Sequence, residues 1–239
     1  MIKKVDLYND GIGRVEYVDH MGDDLRIVNA ARVSFGVEKN ELDKRDKKLI
    51  DYLISHRHTS TLEHNILTYK FVVPLFIRSQ HHRHRTWSYN EISRRYTDVD
   101  LSFYEPSEFR TQHKSNRQAS NSESIDPELD VSVGMGEYPG QYFGKSSNVI
   151  KAWHKDSLKL FDALLDSGVC REQARGILPQ NLYTEYYGTV NLNNLMKFIG
   201  LRTHTGAQWE IQQVAKACLA IARDLWPYAV GSYEKNKSV

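Results

Sequence analysis

The chain has 239 residues, is 40% hydrophobic and 26% charged, and carries a formal net charge of +2, which suits a single soluble globular domain with a sizeable core. So even a balance of charge argues against bulk nucleic acid or an anionic membrane as the main partner, because surfaces that bind them carry a strong basic excess. No membrane-length apolar run and no charged-then-apolar leader is present, so a cytoplasmic setting is expected, and the two distant cysteines, Cys170 and Cys218, form neither a disulfide framework nor a zinc-type pair.

In chain order, Val15 to Val18 reads as a short strand, after which Asp23 and Asp24 can cap a helix carrying Leu25, Ile27, Val28 and Ala31. Asp43 opens a second helix, with Leu49, Ile50, Leu53 and Ile54 at helical spacing and the polar stretch Ser55 to His58 closing it. Leu67, Tyr69, Phe71 and Val73 alternate as a half-buried strand would, and Pro74 stops that strand and starts a helix. If that helix continues, Gln80, Arg83 and Trp87 share one face while Arg85, about 200° round from Arg83, points the other way.

From Glu105 to Ser147 the pattern breaks into a polar insert, at about 105–147, punctuated by Gly134, Gly136, Gly140 and Gly144. A stretch of that length inside a compact domain is either a functional lid or a disordered insertion. The helical period returns from Val149, with Ile150, Trp153, Leu160, Phe161 and Leu164 on one face and Gly168 ending the helix. A last long helix from about Ala207 to Leu225 carries the apolar stripe Ile211, Val214, Cys218, Ile221 and Leu225. The expected architecture is α+β: a small antiparallel sheet with a helical majority, in one domain over 1–239.

The chemistry concentrates between Gln80 and Tyr96, where four arginines and three histidines crowd together. Guanidinium groups suit phosphates because their planar fork makes paired, charge-assisted hydrogen bonds and stays protonated. Ser88, Ser93, Asn90 and Glu91 add donors and acceptors of the kind a nucleobase edge or ribose requires. On residue types alone a solvated basic face reads the same way.

The order of the residues is more specific. The run Arg83-His84-Arg85-x-x-Ser88-x-Asn90-x-x-Ser93-x-Arg95-Tyr96 resembles the signature of the flavin-dependent thymidylate synthases. The resemblance extends through Ala31-Arg32-Val33-Ser34-Phe35, His58-x-Ser60-x-x-Glu63-His64, the stretch from Arg175 to Thr184, Val190-Asn191 to Phe198, Leu201-Arg202, and Ala207 to Gln213. It covers nearly the whole chain outside the polar insert and the tails, and implies the fold of that family.

The resemblance also implies roles. dUMP contacts would be Gln80, His81, His82, Arg83, Glu91, Ile92, Ser93, Arg94, Arg95, Arg175 and Arg202, with Arg202 stabilising the developing anion of the pyrimidine ring as the catalytic residue. FAD contacts would be His58, Ser60, Arg83, His84, Arg85, Glu91, Asn191, Asn193 and Lys197. The implied reaction is the reductive methylation of dUMP to dTMP, with methylenetetrahydrofolate as carbon donor, FAD as redox cofactor and NADPH as reductant, in a homotetramer with active sites between subunits. Arg94 stands where a glycine is common, Asn193 where an arginine is often found, Lys197 where an asparagine is common and Gly206 where a histidine is common. Flavin chemistry also relieves the need for a thiolate: Cys218 lies on an apolar stripe, and Cys170 beside Arg171 has no evident base.

Two other classes fit parts of the pattern. His56, His58, His64, His81, His82 and His84 are the residue types of a metal-dependent nucleotide phosphohydrolase, although their spacing matches no H-E-x-x-H or paired-cysteine site, and no metal is expected. The arginines with Trp87, Tyr89 and Tyr96 are those of a single-stranded nucleic-acid-binding module, which the small net charge disfavours.

Overall fold

A computed structural model describes residues 1–117, 119–133 and 140–236; Gly134 and Gly136, which punctuate the polar insert, lie outside the described residues. In chain order the strands and helices are β1 (Lys4–Asp6), β2 (Arg14–Met21), α1 (Asp24–Arg32), α2 (Lys44–Ser55), β3 (Ile66–Pro74), α3 (Leu75–His81) and β4 (Ser88–Glu91). There follow β5 (Phe109–Gln112), β6 (Ser120–Ile125), β7 (Glu128–Val133), β8 (Gly140–Lys145), α4 (Ser146–Asp166), α5 (Arg171–Ala174), β9 (Tyr183–Asn191), α6 (Leu192–Arg202), α7 (Trp209–Leu225) and α8 (Pro227–Asn236). The chain divides into two compact units: Met1–Val72, Ser79–Glu91 and Glu185–Val239 in the first, Val73–Arg78 and Ile92–Thr184 in the second.

The first unit is organised around a five-stranded sheet of order β1-β2-β3-β9-β4, antiparallel at β1–β2, β2–β3 and β4–β9. Opposite residues Val15 and Phe71, and Tyr17 and Tyr69, set the β2–β3 register, which shifts between Tyr17 and Asp19. Val15, Leu67, Tyr69 and Phe71 are fully enclosed, with Ile211, Val214, Cys218 and Ile221 of α7. Gly188 of β9 is dictated by this packing: a Cβ there would stand 2.9 Å from Phe71 Cε2 and 3.2 Å from Trp87 Cε3. Thr68 and Thr189 join β3 to β9 through their hydroxyls at 2.9 Å.

Caps fix the helices of this unit. The Asp23 carboxylate accepts from Arg26 N at 2.8 Å at the start of α1. Asp43 and Asp46 form a capping box on α2, Asp43 accepting from Asp46 N at 2.9 Å and Asp46 from Asp43 N at 3.0 Å. Asp46 is fully buried and is also held by Arg32 at 2.7 Å and by Lys39. Asn191 caps α6 by accepting from Asn194 N at 2.9 Å. The start of α8 is satisfied from far away in sequence: Asp24 accepts from Tyr228 N at 3.0 Å and Ala229 N at 2.9 Å, while Trp226 Nε1 donates to Gly22 O at 2.9 Å.

Helix α2 ends in a Schellman motif. His58 N donates to Leu53 O at 2.8 Å and Arg57 N to Ile54 O at 3.1 Å. Arg57 therefore occupies the left-handed position, at φ 57°, that glycine usually fills.

The second unit packs Phe103, Phe161, Ala174, Leu178 and Leu182 into its core. The polar insert differs from the expected excursion: its described residues pair as two antiparallel ribbons, β5 with β6 and β7 with β8. α4 begins at Ser146, capped by Asp126, which accepts from Ser147 N at 2.9 Å and from Ser147 Oγ at 2.8 Å. The expected apolar face of α4 is also corrected. Trp153 and Leu160 are half exposed, and the buried line runs through His154, Ser157 and Phe161. Polar residues can take that line because their groups are bonded: His154 stacks on Phe103 at 4.4 Å and reaches Glu105 at 2.8 Å, and Ser157 donates to His154 O at 2.7 Å.

Candidate functional site

The helix expected to run from Pro74 through Trp87 stops at His81, and the chain turns before pairing as β4 from Ser88. Trp87 consequently does not share a face with Gln80 and Arg83. It is buried, 6.0 Å from Phe71 and 4.5 Å from His81 between ring centroids. This takes from the nucleic-acid reading its best stacking ring. Tyr89 secures the turn, its hydroxyl donating to the carbonyls of His81 at 3.0 Å and His84 at 3.2 Å.

The ring of His81 is fully buried among Phe71, Trp87 and Phe198, with Nδ1 bonded to the Tyr186 hydroxyl at 2.8 Å. Burial, followed by the charges of His84, His82 and Arg202, pushes its pKa well down, so it is a neutral element of the scaffold. That ring is closed off from any ligand. His82 stacks on Tyr89 at 4.1 Å.

Arg202, at the end of α6, brings the motif to a focus. Its Nε donates to His84 Nε2 at 3.0 Å and its Nη2 to the Gln80 carbonyl at 3.4 Å. Because Arg202 donates to Nε2, the His84 proton resides on Nδ1. Burial first, and the Arg202 charge second, hold the His84 pKa down at about 4. The Arg202 pKa is itself lowered by burial and then by the nearby charge of Arg83. Two guanidiniums close enough to repel form a well for an anion. Arg83 and Arg85 remain exposed, and Glu91 stands half-buried at the end of β4 opposite Tyr186.

Gln80 is oriented by a neighbour that carried no role in the sequence reading. Its side-chain amide donates to Gln208 Oε1, and Gln208 donates to Glu210 Oε2 at 2.9 Å. Glu210 is almost fully buried, although it stands outside the apolar stripe Ile211, Val214, Cys218, Ile221 and Leu225. The signal for Gln208 was its place just before α7, within the run from Ala207 to Gln213.

A second group of the expected residues surrounds a cavity of about 710 Å³ in the same unit, within the range of roughly 300–1,000 Å³ typical of small-molecule and cofactor sites. Asn193 and Lys197 line it, with Arg57, Thr59, Tyr233 and Asn236. Asn193 is buried and donates to Glu63 Oε1 at 2.8 Å. Lys197 is exposed, one turn along α6, at 3.4 Å from Asn194 Oδ1. Ser60 and His58 are exposed in the adjoining segment after α2. Donor amides, hydroxyls and two cations are the groups a dinucleotide requires, so the residues present fit a flavin nucleotide.

Ile92, Ser93, Arg94, Arg95 and Arg175 belong to the second unit. There the Ser93 hydroxyl accepts from Arg95 N at 3.3 Å, and Arg95 lies 3.8 Å from Glu172. Arg94 directs its guanidinium to Val99 O at 2.6 Å and Tyr183 O at 3.4 Å, so its side chain braces its own unit. Arg175 is exposed after α5, and Ile92 is partly exposed.

Cys218 is sealed in the core and burial raises its thiol pKa, which removes it as a nucleophile. Cys170 is exposed in the second unit, its thiol 3.7 Å from Gln173 Oε1. Among the described residues no group of three or more His, Cys, Asp or Glu side chains is arranged to hold a metal, and no helix is long and apolar enough to cross a membrane.

Comparison with known proteins identifies the family of the chain. The profile of the family described as thymidylate synthase complementing protein matches residues 16–228. The flavin-dependent thymidylate synthase of Thermus thermophilus is 41% identical over 224 residues, 94% of this chain and 76% of that protein. That of Thermotoga neapolitana is 39% identical over 223 residues, 93% of this chain and 91% of that one. The crystal structure of a UMP/dUMP methylase, PolB from Streptomyces cacaoi bound with 5-Br UMP, superposes with a TM-score of 0.75 at 30% identity, covering 98% of both chains.

Proposed function

The chain belongs to the thymidylate synthase complementing protein family, the flavin-dependent thymidylate synthases, and from that premise we propose how its residues divide the work of converting dUMP to dTMP. The reaction is a methylation at a pyrimidine carbon with a flavin as cofactor; FAD is the form of flavin we assign, NADPH the reductant and methylenetetrahydrofolate the carbon donor.

The observation that carries this assignment is the Arg202 guanidinium, half-buried, bonded to His84 and Gln80 O and electrostatically coupled to Arg83. Carbon 5 of uracil becomes nucleophilic only as negative charge is drawn into the ring, and a guanidinium fixed in place stabilises that charge without reorganising. Arg202 is the catalytic residue in this reading, and Arg83 holds substrate phosphate. Gln80 and Glu91 orient the nucleotide, and Ser93, Arg95 and Arg175 are assigned to dUMP by the family resemblance. Arg94 contributes by bracing rather than through its guanidinium.

His84 sits neutral with Nδ1–H available to donate, so it presents a hydrogen bond without adding to the positive charge of Arg202 and Arg83. With Arg85, His58 and Ser60 it would hold the flavin, and Asn191, Asn193 and Lys197 would hold its outer part. Bound flavin supplies the hydride-transfer chemistry that no side chain possesses. The protein places the nucleotide and steadies charge. A homotetramer in the cytoplasm is the setting that goes with this assignment.

The test is a spectrum. The purified protein, reconstituted with FAD, shows flavin absorption that NADPH bleaches anaerobically and that dUMP perturbs on titration. Protein that retains no flavin after reconstitution, or flavin indifferent to both nucleotides, refutes the assignment.

A further inference from the structure

The cavity beside α6 carries an asymmetry of charge. Arg57 and Lys197 both line it, with the polar side chains of Ser55, Thr59, Asn193 and Asn236, and none of its lining residues is Asp or Glu. Two cations facing a polar concavity without a carboxylate are unneutralised by its walls, so the cavity favours an anion.

Arg57 adds an independent observation. At φ 57° it takes the left-handed position that closes the Schellman motif of α2. A side chain there is disfavoured by contact between its Cβ and the neighbouring carbonyl, and glycine is the residue that relieves it. The guanidinium does not repay this strain inside the fold, since it bonds to no described residue. A strained residue whose charged end is unengaged within the chain, yet borders a cavity, points outward to a ligand.

Lys197 is exposed and lies one turn beyond Asn193 on the same face of α6. Ile54, Leu62 and Met196 give the same cavity an apolar side. The wall is thus divided between a cationic, donor-rich part and an apolar part, which suits a phosphate-bearing nucleotide with a flat ring.

We propose that Arg57 and Lys197 form a pair that grips the diphosphate of a dinucleotide in this cavity, with Arg57 retained in its left-handed position for that contact. The identification of the dinucleotide as the flavin rests on the functional reading above. The diphosphate itself is read from the cavity alone. A nicotinamide dinucleotide carries the same linkage, so the experiment separates the two.

The flavin-free full-length protein is compared with Arg57→Gly and Lys197→Met in three arms. In the first, melting temperature is recorded with and without inorganic diphosphate. Diphosphate raises it for the wild type and has little effect on either variant. Without ligand Arg57→Gly melts higher than wild type, by about 2–4 °C, because the strain at φ 57° is released. Lys197→Met melts as wild type does.

In the second and third arms, FAD and NADP+ dissociation constants are measured by fluorescence and by calorimetry. Loss of a charge-assisted contact weakens the bound dinucleotide about tenfold or more in each variant. A loss confined to FAD assigns the pair to the flavin; one confined to NADP+ assigns it to the reductant.

Equal stabilisation of all three proteins by diphosphate, or affinities of both variants within about threefold of wild type for both dinucleotides, overturns the pair. A lower melting temperature for Arg57→Gly overturns the account of why arginine stands there. Wild type that responds to diphosphate but binds no FAD refutes the functional reading and leaves the pair standing.

Discussion

Replacing Arg202 with methionine keeps an unbranched stem and removes the guanidinium that donates to His84 Nε2 at 3.0 Å and to Gln80 O at 3.4 Å. Two effects of different kinds follow. Removing one preorganised donor aimed at developing charge lowers turnover by about 10²–10³, equivalent to roughly 2.7–4 kcal/mol of transition-state stabilisation. The second effect is on His84, whose pKa is depressed to about 4 by burial first and by Arg202 second. Its midpoint therefore rises in the variant yet stays below the ordinary 6.5, since burial remains.

The sign for stability is set by proton uptake. Between about 4 and 6.5 the unfolded chain binds a proton at His84 that the folded chain refuses, so stability is complete above that window and declines as pH falls through it. Arg202→Met narrows the window and makes this decline shallower. dTMP formation at saturating substrate and an NMR titration of the His84 imidazole, assigned with His84→Gln, measure the two effects. Turnover within about threefold of wild type, or a His84 midpoint that stays put or moves lower, refutes the reasoning.

Gly188→Ala drives a methyl to 2.9 Å from Phe71 Cε2 and 3.2 Å from Trp87 Cε3; overpacking of this kind costs about 1–3 kcal/mol. A thermal melt shows it as a drop of several degrees, and an unchanged melt means that the rings can yield. The double variant Cys170→Ser, Cys218→Ala keeps forming dTMP, with a lower melting temperature from the sulfur lost to the core; a tenfold or greater loss of turnover would restore a thiolate mechanism. At Asp46, burial alone would raise the pKa, but Lys39, the Asp43 backbone N–H and Arg32 outweigh it and hold the carboxyl below 3.8. Its contribution to stability is present above 3.8 and is lost as pH falls below it, so Asp46→Asn melts lower at neutral pH and shows a flatter acid limb. A parallel acid limb in the variant excludes Asp46 as its source.

The sequence made some elements legible because their pattern is local. Asp23 and Asp43 announce α1 and α2 through caps, and the stripe Ile211, Val214, Cys218 and Ile221 defines α7. Others are settled by distant partners. β9 lies between β3 and β4, and its tyrosines are placed by both neighbours, so its alternation is blurred. α6 buries Leu192, Asn193, Leu195, Met196, Phe198 and Ile199, which leaves little polar face to mark a helical period. Of the two ribbons, β6 reads Ser-Asn-Ser-Glu-Ser-Ile and carries too few apolar residues to signal a strand, whereas in β7 Leu129, Val131 and Val133 alternate with Glu128, Asp130 and Ser132, a strand pattern that the surrounding polar stretch hid. At the site, the arginines were legible as types, whereas their engagement was not: Arg94 turns to Val99 O and Tyr183 O, and the His81 ring disappears behind Tyr186, contacts far outside any local motif.

The match to the family profile ends at residue 228, whereas α8 runs on to Asn236 and contributes Tyr233 and Asn236 to the cavity wall. Tyr233 is anchored there by its hydroxyl, which donates to Met196 O at 2.8 Å. A fragment cut to the matched span would keep every arginine of the motif yet lack one side of the chamber, and its failure to retain a nucleotide would be mistaken for a defect of catalysis.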